Sequence, residues 1–119
     1  MAIKLTPGLE DAWFGRGRAW SERGDHQRAI ADLTRAMEIK PALARTYVVR
    51  GESWSSLGDS QRALADFEQA IRLEPGNHPF AYHARGALLR RSGSFDAAIA
   101  SHDQGLRIDP VNAYGFMSR

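Results

Sequence analysis

Trp13, Tyr47 and Tyr82 stand 34 and 35 residues apart, and other residue types recur in step with them. Gly17, Gly51 and Gly86 keep one offset, Gly24, Gly58 and Gly93 another, followed by Ala29, Ala63 and Ala98 and then Pro41, Pro75 and Pro110. A self-similarity of this period marks a chain of stacked supersecondary units, each too small to bury its own apolar face. The 119 residues leave room for three. The one extra residue falls in the connector NHPFAY, between Pro75 and Tyr82, where an insertion leaves helical periodicity undisturbed.

Each unit reads as two helices. In the second unit Tyr47, Gly51 and Trp54 follow a spacing near 3.6 per turn and stop at Gly58, after which Ala63, Leu64, Phe67, Ala70 and Ile71 form a new face ending before Pro75. The pattern predicts helices over 10–23, 26–40, 44–57, 60–74, 79–92 and 95–108. Gly17, Gly51 and Gly86 omit a side chain where paired helices approach. Asp25, Asp59 or Ser60, and Ser94 are available to cap the second helix. Ala29, Ala63 and Ala98 are small where helices cross, and the prolines close each unit. The domain reading is a single unit over 1–119, with repeats at 10–43, 44–78 and 79–112 and a tail or cap at 113–119; residues 112–117 read as the opening of a fourth hairpin that does not develop.

The composition, 43% hydrophobic and 25% charged, fits a globular chain and argues against disorder. Sixteen Lys and Arg against fourteen Asp and Glu give a formal charge of +2, with signs alternating as on solvated helix faces. A nucleic-acid partner would leave a denser basic block and is not expected. Apart from Lys4 and Lys40 the cations are arginines, suited to planar, bidentate contacts. The absence of cysteine removes disulfide and thiol chemistry and suits a cytoplasmic location. The start MAIKLTPGLED is too briefly apolar for a secretory signal, and no run of apolar residues is long enough to span a membrane.

With these features in place the chain resembles the tetratricopeptide repeat family, whose pattern is W-x2-L-G-x2-Y, then A-x3-F, then P. The copies here are Trp13, Arg16, Gly17, Trp20, Ala29, Leu33, Pro41; Tyr47, Arg50, Gly51, Trp54, Ala63, Phe67, Pro75; and Tyr82, Arg85, Gly86, Leu89, Ala98, His102, Pro110, covering 10–112. Arg16, Arg50 and Arg85 replace the pattern's leucine three times. Their stems can cover the hairpin while the guanidinium reaches water or a neighbouring carboxylate; the rival reading, a row of donors for a partner, carries less weight. His102 replaces the aromatic and Gly105 stands where Ala36 and Ala70 stand, so the third repeat is expected to be the loosest.

The resemblance implies an all-α, right-handed solenoid of three antiparallel helical hairpins. It further implies a scaffold that binds a peptide segment in a concave groove lined by the first helix of each hairpin. Carried onto this sequence, that groove takes Phe14 and Arg18, then Arg45, Val48, Val49 and Glu52, then His83, Ala84, Ala87, Arg90 and Arg91, with Asp11, Gly15, Ser21, Glu22, Ser55, Ser56 and Phe80 alongside. Family members that hold chaperone tails carry a lysine and asparagine clamp for a terminal carboxylate; the matching places here hold Phe14, Arg18, Val49, Phe80 and Ala84, so that clamp is not expected. The partner expected instead is a protein or peptide with apolar anchors and acidic flanks, steered by the arginines. The plainer alternative is that these residues only solvate a short superhelix.

Signals for an enzyme run out early. There is no P-loop, dinucleotide fingerprint or HExxH, His26, His78, His83 and His102 lack ligand spacing, and neither metal nor cofactor is expected. Asp32, Asp66 and Asp103 are read as one common repeat position and as structural or solvated partners. The competing function is self-association, with a homodimer formed through an edge near Ala98, His102 and Leu106. Tyr114, Phe116 and Met117 follow that edge, and either they fold back over it or another subunit covers it. The edge can also be that of a fragment of a longer solenoid, and the third competing function is nucleic-acid binding through the arginines.

Overall fold

The computed structural model describes residues 9–110, and the expected fourth-hairpin opening and tail lie outside them. The described residues form α1 (Glu10–Arg23), α2 (His26–Ile39), α3 (Ala44–Ser56), α4 (Ser60–Leu73), α5 (Pro79–Arg91) and α6 (Phe95–Ile108). Helices pair as α1 with α2, α3 with α4 and α5 with α6. The hairpins stack through α2 on α3 and α4 on α5, giving a right-handed α-solenoid. The helix bounds match the periodicity to within a residue at each end.

Each turn inside a hairpin is made the same way. Gly24, Gly58 and Gly93 take φ of 96°, 85° and 87°, the left-handed conformation that a residue with a Cβ resists. That twist lets the next amide reach back five residues: Asp25 N–H donates to the Trp20 carbonyl, Asp59 to Trp54 and Ser94 to Leu89, each at 2.9 Å. Asp25 and Asp59 then cap the second helix by accepting from the Arg28 and Arg62 amides at 3.2 and 3.1 Å. The expected third cap is corrected: Ser94 occupies the position but its side chain makes no capping bond.

The close approach within each hairpin is made at the second set of glycines. A Cβ at Gly17 would lie 2.9 Å from Leu33, one at Gly51 2.9 Å from Phe67 and one at Gly86 2.6 Å from His102. Three different side chains thus use one slot. Ala29, Ala63 and Ala98 are buried at the crossings. Two apolar clusters result. Phe14, Leu33 and Ala36 pack with Trp13, Trp20 and Val49; Phe67, Ala81 and Leu88 pack with Val48, Trp54, Leu64, Ile71 and Ala84. Residues of α6 enter neither cluster.

The repeated arginines staple the hairpins from the opposite helix. Arg16 grips Asp32 through Nε and Nη2 at 2.7 and 2.8 Å, and Arg50 grips Asp66 at 2.8 and 2.9 Å. Each lies over its own repeat's aromatic, Arg16 5.3 Å from the Trp13 ring and Arg50 5.8 Å from Tyr47. The hydrogen bonds it donates to Asp66 hold the Arg50 guanidinium above its ordinary pKa. Arg50 also donates to Thr34, tying the second hairpin to the first. In the third hairpin the position of Asp32 and Asp66 is filled by Ser101, not by Asp103. Arg85 stacks on Tyr82 and donates to Ser101 and Gln104, while Asp103 is exposed. The arginine row is therefore internal structure, and its two carboxylate partners are structural.

Candidate functional site

Two cavities lie side by side along the faces of α1, α3 and α5. The first, ≈ 280 Å³, is lined by Glu52, Ser55 and Ser56 from α3, Phe67 from α4, and Phe80, Ala84, Ala87, Leu88 and Arg91 from α5. The second, ≈ 340 Å³, is lined by Arg18, Ser21 and Glu22 from α1, His26 from α2 and Val49, Glu52 and Ser56 from α3. Glu52 and Ser56 belong to both, so the pair forms one trough with a carboxylate at its midpoint.

The trough floor follows from the repeat. Small side chains at Ala84 and Ala87 leave room between α3 and α5, and Phe80 stands half-exposed beside it. Phe80 meets Phe67 edge-on, with ring centroids 6.1 Å apart, which presents a hydrophobic wall and fixes its ring. Leu88 closes the floor from within the core.

Of the groove residues expected from sequence, Arg18, Val49, Glu52, Ala84, Ala87 and Arg91 line these cavities. Others do not. Phe14 is buried, 8% exposed, with the Arg45 guanidinium 4.2 Å from its ring centroid. Arg45 is already held by Glu10 at 2.9 Å and Asp11 at 3.0 Å, fastening the second hairpin to the start of the first. It is a structural cation and not a free groove arginine. Val48 packs into the second apolar cluster. Arg90 is exposed and lines neither cavity.

His83 is the largest displacement. It points into the third hairpin, where its Nδ1 lies 2.8 Å from that of His102 and the two rings stack with centroids 5.1 Å apart. Gly105 leaves the space: a Cβ there would fall 2.7 Å from His83 Nε2. Burial, then the neighbouring His102, lowers the His83 pKa. Sequence reasoning did not name Leu88, Phe67 and His26 as cavity walls. Phe67 carries the repeat's core pattern, whereas Leu88 stands where Ala19 and Ser53 stand in the other copies, and only packing shows both edges reaching the trough.

Charge along the trough alternates. Arg18 bridges to Glu22 at 3.3 Å on the exposed face of α1. Glu52 makes no hydrogen bond or ion pair among the described residues, and burial, only partly offset by Arg18, pushes its carboxyl up from the usual range. Among the described residues no cluster of three or more His, Cys, Asp or Glu could hold a metal, and no helix is long and apolar enough to cross a membrane.

A model of the tetratricopeptide repeat matches residues 10–43, and a second model of the same repeat matches 50–113. A crystal structure of MamA superposes with a TM-score of 0.82 at 25% identity, over 89% of this chain and 61% of that one, so this chain spans about three fifths of that relative. The first tetratricopeptide domain of Spaghetti (RPAP3), bound to the HSP90 peptide SRMEEVD, gives 0.83 at 21% identity over 93% and 87% of the two chains. The second such domain of human RPAP3, in complex with an HSP70 peptide, gives 0.82 at 24% identity over 90% and 89%. Comparison with curated proteins gives no match. Repeat models matched over 10–43 and over 50–113, across six helices in the register described, establish that the chain belongs to the tetratricopeptide repeat family.

Proposed function

We propose that the protein acts by binding and not by catalysis, holding an extended or helical peptide segment of a partner in the trough along α1, α3 and α5. The observation that carries this reading is the first cavity, where the apolar walls Phe80, Ala84 and Ala87 remain open to solvent over the buried Leu88 and beside Arg91. Apolar area of this kind supplies affinity, and charged groups at its rim set orientation. Acidic residues of the partner meet Arg91 and Arg90 at the third-repeat end; Arg45 takes no part. The chaperone-tail clamp is absent from this reading, because Phe14, one of its matching places, is packed beneath Arg45. A cytoplasmic setting fits the lack of cysteine.

The test is a random-peptide display selection on the full chain. Enriched peptides are expected to bind the wild type at micromolar strength and Ala87→Arg about 10-fold more weakly, since the added side chain fills the cavity. Equal binding to both, with both folded by circular dichroism, contradicts the reading.

A second reading, homodimerisation through the terminal edge, draws on Phe95 and Ile99, which are 61% and 60% exposed on the outer side of α6. Their counterparts in α4 are Ser60 and Leu64, and Leu64 is packed against the neighbouring cluster. The edge differs from the one expected: Ala98 is buried and His102 faces α5, while Tyr114, Phe116 and Met117 lie outside the described residues. Light scattering over a concentration series distinguishes the cases. A mass that rises with concentration in the wild type, and not in Phe95→Ser/Ile99→Ser, supports the dimer; a constant monomer mass removes it.

A further inference from the structure

The trough is asymmetric in a way that bears on which segment it accepts. Its apolar half has one cation, Arg91, at the rim. Its polar half holds Arg18, Glu22, His26 and, at the junction, Glu52. Arg18 is the cation nearest in kind to a partner for Glu52, yet its Nε bridges to Glu22 on its own helix one turn away. Arg45, from the same helix as Glu52, is held by Glu10 and Asp11. Glu52 is thus left half-buried without a hydrogen bond or ion pair among the described residues.

A carboxylate in that state has lost part of its hydration and gained no donor in return. A cation delivered by a ligand restores what burial removed, and a charge-assisted bond in a partly desolvated cleft is stronger than the same pair on an open surface. The raised carboxyl pKa has the same origin, since burial penalises the charge that a cation would stabilise. An acidic segment laid along the whole trough would instead bring its carboxylates against Glu52 and Glu22.

Resting on the groove reading above, we infer that the occupant carries a lysine or arginine that seats on Glu52, adjacent to an apolar side chain filling the Phe80, Ala84 and Leu88 cavity. Acidic residues of the segment, where present, lie on the other side of that anchor, towards Arg91. The ligand is dipolar and enters in one direction, basic end towards α1. The groups facing Glu52 across the trough are Arg18 and Glu22 from α1, His26 from α2 and Arg91 from α5.

The test uses the same random-peptide display, run in parallel on the wild-type chain and on Glu52→Gln. Glu52 has no hydrogen bond or ion pair to lose among the described residues, and Glu52→Gln gives up the attraction of Arg18 while relieving the burial of a charge, so the variant is expected to fold as the wild type does. Wild-type selections are expected to enrich Lys or Arg at a fixed spacing from an aromatic or branched aliphatic residue, with the basic preference lost on Glu52→Gln and the apolar one kept. For an enriched peptide, replacing arginine by citrulline is expected to weaken binding about 10-fold on the wild type and less than 2-fold on Glu52→Gln. Peptides that lose affinity on Ala87→Arg but carry no basic preference, or that lose equally from citrulline on both chains, overturn the inference and leave the groove standing. Peptides indifferent to both Ala87→Arg and Glu52→Gln overturn the groove itself.

Discussion

In the central hairpin Gly51 faces the ring of Phe67, and Arg50 is forked onto Asp66; in the last, Gly86 faces the imidazole of His102, and Arg85 meets the hydroxyl of Ser101. The backbones of the two are in register, with the same left-handed glycine and the same five-residue return bond. Only the filling differs. Phe67 is 1% exposed within an apolar cluster, whereas among the described residues α6 contributes to neither cluster and turns Phe95 and Ile99 to solvent. The repeat's small residues and turns are therefore enough to fix geometry, while the large residues set how firmly each hairpin is held. A scaffold can vary the second without disturbing the first, because each unit touches only its neighbours.

The strongest way to break the contrast is Phe67→Ala. Loss of a buried aromatic costs about 3–5 kcal/mol, read as a drop in the urea midpoint, and that is a large part of what a domain of this size holds. His102→Ala is expected to cost clearly less; equal losses would show that the two slots bear the same load.

Asp66→Ala comes next. It leaves Arg50, whose side chain is 20% exposed, without its forked partner. The cost expected is about 2–3 kcal/mol, below that of a fully buried pair because water reaches the guanidinium. Ser101→Asp does the reverse, giving Arg85 the carboxylate its position lacks. A gain of about 1 kcal/mol in chemical denaturation is expected; a loss would show that the bond from Ser101 to the Tyr82 carbonyl, 2.6 Å, matters more than the charge.

The framework was legible because it is periodic. Helix bounds, turn glycines, crossing alanines and the caps at Asp25 and Asp59 repeat, and one copy corroborates another. The arginine staple was half legible: Arg16 and Arg50 recur, Asp32 and Asp66 recur sixteen residues later, and the constant separation is the signal that pairs them. Assigning Asp103 to that set slipped the phase by two residues, where Ser101 stands. The groove was harder, because it depends on which way a side chain turns on a helix with neighbours on several sides. His83 turned inward because Gly105 vacated the space and His102 offered a partner, a coincidence confined to one repeat. Arg45 was taken by Glu10 and Asp11, 35 and 34 residues earlier, a contact that no periodic pattern announces.

The smallest expected effect is one of pH. Facing Nδ1 atoms 2.8 Å apart require one ring to donate and the other to accept, which a doubly protonated pair cannot do. His83 titrates below its unfolded value of about 6.5. Below that value the unfolded chain binds more protons than the folded one, so stability is complete above about 6.5 and falls as pH drops towards the folded pKa. Thermal midpoints at pH 7.5 and 5.5 should differ in this direction, and His83→Gln, which removes the titrating ring, should flatten the difference. An unchanged slope would place the titration elsewhere.

The measurement closest to the central claim is amide hydrogen exchange on the full chain with and without a display-selected peptide. The groove account predicts added protection along α3 and α5, around Glu52 and Ala84 to Arg91, and on the Arg18 face of α1, with the outer side of α6 unchanged. Protection centred on Phe95 and Ile99, with α3 and α5 unaffected, would contradict it.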